Sequence, residues 1–288
     1  MAERHLVGLI GSNIGRSLSP ALHEREADHH GLRYLYHQLD LDVLNLPVDR
    51  TGELLAAARL AAYTGFNVTH PCKQVVLEHL DGLSSEAESV RAVNTIVLDD
   101  GKAIGHNTDL SGFTQSILRG LPDVRMGQVV LLGAGGAGAA VAYALVALGV
   151  KELWLYDKDL TRAVSLAGRL GAVAVRADNL ADAVSSADGL VHATPTGMTG
   201  HPGMPLPKEM LRPRSWVADI VYRPLDTELV RTARDLGCRV LDGGMMAVFQ
   251  AADSFRLFTG LEPDPDRMLR HFAMLVASDS SGRTRAHR

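Results

Sequence analysis

The densest chemical signal in this chain is a run of glycines with a carboxylate downstream. Val129-Val130-Leu131-Leu132 leads directly into Gly133-Ala134-Gly135-Gly136-Ala137-Gly138, and an alanine-rich run extends to Leu148. Gly133, Gly135 and Gly138 form GxGxxG between an apolar strand and a helix, where the pattern acquires chemical meaning. The first glycine allows a tight turn, the second lets backbone approach a pyrophosphate, and the third lets helix and strand pack closely. The helix N-terminus then faces the phosphates. The next apolar segment ends in Asp157-Lys158-Asp159. Asp157 stands about twenty residues past the last glycine, where a carboxylate accepts the ribose hydroxyls of NAD and repels the 2′-phosphate of NADP. NAD is therefore favoured. Lys158, a cation suited to a phosphate, keeps NADP as the alternative.

A nicotinamide enzyme also needs a group that moves a proton at the reacting oxygen. Two candidates lie upstream. Lys73 stands in "GFNVTHPCKQ", in the first turn of an expected helix, where a cation is mildly disfavoured by the dipole. Asp109 stands in "GHNTDLSGF", between a strand and a helix, and would equally serve as a helix cap. Other patterns dissolve on inspection. "HEREADHH" has Ala27 where HExxH needs its second histidine, and "GSNIG" lacks the serine position of GxSxG. The histidines have no paired metal-ligand spacing, so no metal is expected.

The elements that must position these residues follow from periodicity and turn signals. His5–Ile10 and Leu32–Leu39 read as strands. Pro20 to His30 reads as a helix, with Ser19 as its cap. Thr51–Tyr63 is helical, Phe66–Thr69 is a short strand, and Pro71 opens the helix carrying Lys73. Asp99-Asp100-Gly101 joins two strands as a hairpin. After Leu121-Pro122, strands and helices alternate at the spacing of a parallel sheet covered on both faces. Met245–Phe258 reads as the last long helix, and "SDSSGRTRAHR" as an unstructured tail.

Composition agrees. The chain has 288 residues, enough for about two domains. A net charge of −4 gives no basic field for nucleic acid or acidic lipid. No window is apolar enough to span a membrane, and the start lacks the features of a secretory signal. Cys72 and Cys238 form no CxxC and fit free thiols in a reducing cytoplasm.

With these pieces in place, nearly the whole chain, from about residue 6 to residue 275, resembles the shikimate/quinate dehydrogenase family. "SLSP" at Ser17–Pro20, "NVTHPCK", "AVNT" at Ala92–Thr95, "GHNTD", "GAGGAG", "ATPTGM" at Ala193–Met198 and "GGMMAVFQAADSFRLFTG" at Gly243–Gly260 carry the likeness in the family's order. It implies an α/β protein of two domains. A discontinuous substrate domain would hold residues 1–112 completed by 246–277, a Rossmann-type dinucleotide domain 113–245, and a disordered tail 278–288. It also implies reversible NAD(P)-linked oxidation of a ring hydroxyl of shikimate or quinate.

By the matched motifs, Ser17, Ser19, Asn67, Thr69, Asn94, Tyr222 and Gln250 would hold the substrate. Lys73 and Asp109 would be the catalytic pair. Gly133, Ala134, Gly135, Gly136, Ala137, Gly138, Asp157, Lys158, Thr194, Met198, Val221 and Gly243 would line the cofactor. Small hydroxyl and amide side chains suit a polyol acid and reject analogues that leave them unpaired. Whether Lys73, Asp109 or the coupled pair carries the proton is open at this level. The sequence "DKD" after the second cofactor strand and His70 both resemble the NAD-using branch. His192 stands where relatives frequently have asparagine, with no evident role.

The implied partners are a small-molecule substrate and a cofactor, with no nucleic acid and no membrane, in a monomer or homodimer. Competing readings are a dehydrogenase for an amino analogue of these acids, a tetrahydrofolate enzyme of similar plan, and a catalytically silent NAD sensor. The polar, hydroxyl-matching set opposes the folate reading, and an intact Lys73 and Asp109 oppose the sensor.

Overall fold

Strand sequences of two kinds build two separate sheets. The computed structural model describes the backbone of residues 4–285. The chain divides into two compact units, one holding the residues up to Thr108 and those from Val248, the other Asp109–Ala247.

In the first unit the order is β1 (Arg4–Gly11), α1 (Ser19–His29), β2 (Arg33–Asp40), α2 (Thr51–Leu60), β3 (Gly65–Val68), α3 (Cys72–Val75), β4 (Gly82–Leu83), α4 (Ser85–Val90), β5 (Thr95–Asp99) and β6 (Lys102–His106). Its sheet runs β2-β1-β3-β5-β6-β4. β1 pairs in parallel with β2 and β3, whereas β3–β5 and β5–β6 are antiparallel. The β5–β6 hairpin turns through Asp100 and Gly101, both at positive φ, as a primed two-residue turn requires. Ile10, Phe66, Val68, Val93, Ile96 and Leu55 form the core of this unit.

The chain leaves the first unit at the start of α5 (Thr108–Gly120). The second unit continues with β7 (Gln128–Leu132), α6 (Gly136–Ala147), β8 (Glu152–Tyr156), α7 (Leu160–Leu170), β9 (Val173–Ala174), α8 (Leu180–Ser186), β10 (Gly189–His192), β11 (Trp216–Asp219), α9 (Glu228–Asp235) and β12 (Arg239–Leu241). All its strands pair in parallel, in the order β12-β11-β10-β7-β8-β9. Read from β9, this is the 3-2-1-4-5-6 order of a dinucleotide-binding sheet, with its switch point between β7 and β10. β7 and β10 are central strands whose buried residues Val129, Val130, Leu131 and Leu132 in β7 and Leu190 and Val191 in β10 are apolar, as strands covered on both faces require, while β10 closes on buried His192. Local signals end the helices where they should. Asp159 caps α7 by accepting from Thr161 N at 3.0 Å, and Gly171 closes it at φ 63°.

The first unit is completed from Val248 by α10 (Gly244–Thr259) and α11 (Pro265–Arg285). Here the sequence reading needs correction. Met245–Phe258 is not the last long helix, and the backbone stays helical past residue 278, through Arg285. The remainder of the expected tail, residues 286–288, lies outside the described residues. α11 is anchored by Glu26 of α1. Its carboxylate takes a two-pronged contact from Arg267 and accepts from Asp264 N at 2.8 Å. The cap of α1 also differs. The helix begins at Ser19 after Leu18, and Ser17 Oγ, not Ser19 Oγ, accepts the Ser19 N–H at 3.2 Å. Among the described residues, no helix is long and apolar enough to cross a membrane, and no cluster of His, Cys, Asp or Glu could hold a metal ion.

Candidate active site

In the second unit, the loop after β7 is shaped by the absence of side chains. Gly133 sits at φ 107°, and a Cβ there would lie 2.6 Å from Ala193 O. A Cβ on Gly138 would lie 2.1 Å from Gly133 O, so the helix can pack this closely only as glycine. A Cβ on Gly135, by contrast, would meet nothing within 4 Å. The loop therefore has two positions closed by packing and one open, with the N-terminus of the twelve-residue helix α6 directly behind it. This is a cradle for a phosphate-bearing ligand. Ala134, Gly136 and Ala137 contribute its backbone.

Asp157 closes the cradle at the end of β8. Its Oδ2 accepts from Ala134 N at 2.7 Å and its Oδ1 from Asp159 N at 2.9 Å. The carboxylate thus holds the glycine loop as well as setting a negative charge beside it. Lys158 is exposed. On the other side of the switch point lie Thr194, just past β10, and Val221, just past β11. A Cβ on Gly243 would fall 2.5 Å from Val221 O, so glycine is needed there for backbone contact. Met198 is 40% exposed, and Tyr222 is half-buried.

In the first unit, the polar residues form a buried hydrogen-bond knot. Asn94 Oδ1 accepts from Thr108 N at 2.8 Å, and Asn94 Nδ2 donates to Thr108 Oγ1 at 2.9 Å, locking the two Asn-Thr elements together. Ser254 of α10 sits at the centre. Its Oγ is 2.9 Å from Thr95 Oγ1, 3.2 Å from Thr108 Oγ1 and 2.9 Å from Asn67 Nδ2, and it donates to Gln250 O at 2.8 Å. Gln250, expected to hold substrate, is thereby tied at its backbone to the same knot.

Asn67 departs from expectation. Its Nδ2 also reaches Thr95 Oγ1 at 3.1 Å and Asn94 O at 3.3 Å, and its Oδ1 accepts from Tyr36 Oη at 2.8 Å. Two amide hydrogens face three protein acceptors, so they are committed to the protein. The geometry makes Asn67 a positioning residue rather than one that offers its amide N–H groups to a ligand.

The remaining candidates are placed by their backbones. Ser17 Oγ donates to Ser19 Oγ at 3.2 Å, bringing the two hydroxyls together. Thr69 falls just past β3, with its N–H bonded to Ile10 O at 2.9 Å, and is half-buried. Half-buried Lys73 lies in the first turn of α3, and its carbonyl accepts from Val93 N at 2.8 Å, next to the first Asn-Thr element. Asp109 is buried in the first turn of α5 rather than at its cap.

Sequence reasoning missed four supporting groups: Tyr36, Ser254, Asp219 and Asp40. Asp40 accepts from Asn13 N and Ile14 N at 3.1 and 2.8 Å, and so shapes the loop leading to Ser17. Its only sequence signal is an acidic residue closing an aromatic strand. Ser254 could have been found as the residue one helical turn beyond Gln250.

Comparison with known proteins agrees with this geometry. A family model described as the shikimate dehydrogenase substrate binding domain matches residues 9–96, and one described as shikimate/quinate 5-dehydrogenase matches residues 115–199. A shikimate dehydrogenase (NADP(+)) of Streptomyces avermitilis is 56% identical, covering 96% of this chain and 97% of its own. A quinate/shikimate dehydrogenase (NAD(+)) of Corynebacterium efficiens is 46% identical over 94% of this chain and 98% of its own. Among solved structures, quinate dehydrogenase from Corynebacterium glutamicum in complex with NAD superposes with a TM-score of 0.87 at 44% identity, covering 94% and 99% of the two chains.

Proposed function

The chain belongs to the shikimate/quinate dehydrogenase family, and from that premise we propose that it interconverts shikimate and 3-dehydroshikimate, and quinate and 3-dehydroquinate, preferring NAD. It is an NAD(P)-dependent oxidoreductase of a small polyol acid. The observation that carries the cofactor choice is Asp157, whose carboxylate is bonded into the glycine loop and puts negative charge where a 2′-phosphate would have to lie. Relatives of both cofactor types are similar to this chain, so the carboxylate, not overall identity, supports NAD.

The nicotinamide, when bound, supplies the hydride donor or acceptor. The rest is work for this chain's own side chains. Lys73 Nζ, as an ammonium, stabilises the charge that grows on the substrate oxygen during reduction and gives up its proton there; as a neutral amine it takes that proton during oxidation. Asp109 orients the lysine and accepts a hydrogen bond from the same hydroxyl. Ser17, Ser19, Thr69, Asn94, Tyr222 and Gln250 match the carboxylate and remaining hydroxyls, and Asn67 keeps Asn94 and Thr95 in place. Cys72 and Cys238 are buried free thiols, which suits a reducing compartment, and we place the enzyme in the cytoplasm as a monomer or homodimer.

The test is kcat/KM for shikimate and quinate with NAD and with NADP. Four values define both specificities. Higher values with NADP for both acids would overturn the cofactor assignment, and absence of turnover with all four pairs would overturn the function.

A further inference from the structure

His192, without a role in the reading so far, is the centre of a buried relay. It ends β10 with no exposure, and the parallel register of β10 and β11 sets it directly opposite Asp219. His192 Nδ1 lies 2.9 Å from Asp219 Oδ1. The same carboxylate accepts from Val221 N at 3.0 Å and from Thr227 Oγ1 at 2.7 Å. Thr227 in turn accepts from Val230 N at 3.1 Å as the cap of α9. On the far side of the ring, His192 Nε2 lies 2.5 Å from Thr194 Oγ1, and that oxygen accepts from Thr196 N at 3.3 Å.

The directions of these bonds follow from donor and acceptor capacity. A carboxylate only accepts, so Nδ1 must carry the ring hydrogen. With the ring neutral, Nε2 offers a lone pair, and the bonded group that can supply a hydrogen to it among the described residues is the Thr194 hydroxyl. With its hydrogen turned toward His192, part-buried Thr194 Oγ1 can act toward any further partner only as an acceptor, with one lone pair taken by Thr196 N. Thr194 sits against the glycine loop: a Cβ on Gly133 would lie 3.1 Å from its methyl group. In a sheet of this order the adenosine half of the dinucleotide lies over β8, and the nicotinamide half over the carboxyl ends of β10 and β11, where Thr194 and Val221 are.

We propose that the Asp219–His192 pair fixes the Thr194 hydroxyl as an acceptor for the carboxamide amino group of the nicotinamide, making His192 a positioning residue for the cofactor's reactive ring. The proposal rests on the cofactor reading above. It accounts for a buried His–Asp pair placed under the loop that follows β10, and for Asp219 being shared with Val221.

The probe is 3-acetylpyridine adenine dinucleotide, which carries a methyl group in place of that amino group. Calorimetric titration should show it binding about tenfold more weakly than NAD to the wild-type chain, the worth of one good hydrogen bond. Thr194→Val should bring the ratio of the two dissociation constants close to one, and Thr194→Ser should restore it. His192→Phe, which keeps the ring but has no lone pair, should also lower the ratio. A lesion that is merely structural weakens both ligands and leaves the ratio alone. Nitrogen NMR of 15N-histidine in the wild-type chain reads the tautomer independently of any variant: Nδ1–H with a bare Nε2 is expected, and Nε2–H overturns the relay even if His192→Phe does not fold. A ratio near one in the wild type, or a tenfold ratio retained in Thr194→Val or in a folded His192→Phe, overturns the proposal. If the chain binds no NAD at all, the cofactor reading fails first, and the two failures are told apart by the wild-type titration.

Discussion

Replacing Asn67 by alanine separates holding the substrate from holding the protein. The side chain makes one bond to Tyr36 Oη at 2.8 Å and shares its amide hydrogens among Ser254 Oγ at 2.9 Å, Thr95 Oγ1 at 3.1 Å and Asn94 O at 3.3 Å. That amounts to three bonds' worth of donors and acceptors in a residue only 6% exposed. At ~1 kcal/mol net for each buried bond, Asn67→Ala should destabilise the first unit by about 3 kcal/mol. The Ser254 and Thr95 hydroxyls still have each other at 2.9 Å, which keeps the loss from growing further.

The assay matters, because Trp154 and Trp216, the two tryptophans, both lie in the second unit, so intrinsic fluorescence reads the wrong half. Amide hydrogen exchange is the suitable measurement. Val68 N is bonded to Asn94 O at 2.7 Å, directly across the knot, and should exchange about 100-fold faster in the variant if it opens with the first unit. The reasoning is refuted if Val68 keeps its protection while the KM for shikimate rises tenfold or more. That result would mean that Asn67 holds the substrate and contributes little to the fold.

Three further outcomes are expected. Lys73→Ala should lower kcat by about 10²- to 10⁴-fold with a much smaller change in KM, measured by steady-state kinetics; near-normal kcat removes Lys73 from proton transfer. Asp157→Arg should lower kcat/KM with NAD by about tenfold or more and raise the NADP/NAD ratio, whereas Asp157→Ala, which also releases Ala134 N, should impair both cofactors; an unmoved ratio in the arginine variant shows that Asp157 does not discriminate. His23, enclosed by Tyr34, Tyr36, Phe255 and Phe258, has its pKa pushed down to about 3 by burial. The folded chain therefore binds fewer protons than the unfolded chain between pH ~6.5 and ~3. Its stabilising contribution is present above pH ~6.5 and is lost as pH falls toward 3, by up to about 5 kcal/mol. Denaturation curves across that range should flatten in His23→Leu, and an unchanged slope assigns the acid sensitivity elsewhere.

The cofactor half of the site was legible in the sequence because it is made of backbone. Glycine at 133 and 138 states directly that a Cβ cannot fit, and Asp157 follows at a strand-end spacing set by one β-α-β unit. The Asp100-Gly101 turn was readable for the same reason, since positive φ narrows the choice of residue. The substrate half was less legible. The strand expected over Phe66–Thr69 runs instead over Gly65–Val68, leaving Thr69 outside it, and Asn67 turns its amide into the protein. The short strand β4 pairs with β6 for two residues only and carries no periodic signal.

The sequence by itself determined where the dinucleotide fold begins and which residues must be glycine, and it offered Lys73 and Asp109 as the candidates for proton transfer. Those facts are local, encoded in φ, in missing side chains and in the order of short motifs. Only the tertiary structure decided which side chains became partners. Ser254 reaches Asn67, Thr95 and Thr108 because α10 returns to the first unit after the whole second unit has been made. His192 meets Asp219 because β10 and β11 pair in one register, and a shift of one residue would turn the two side chains to opposite faces of the sheet. A hydrogen bond between distant residues depends on that register, which is set by packing across the entire sheet and is written in no short stretch of the chain.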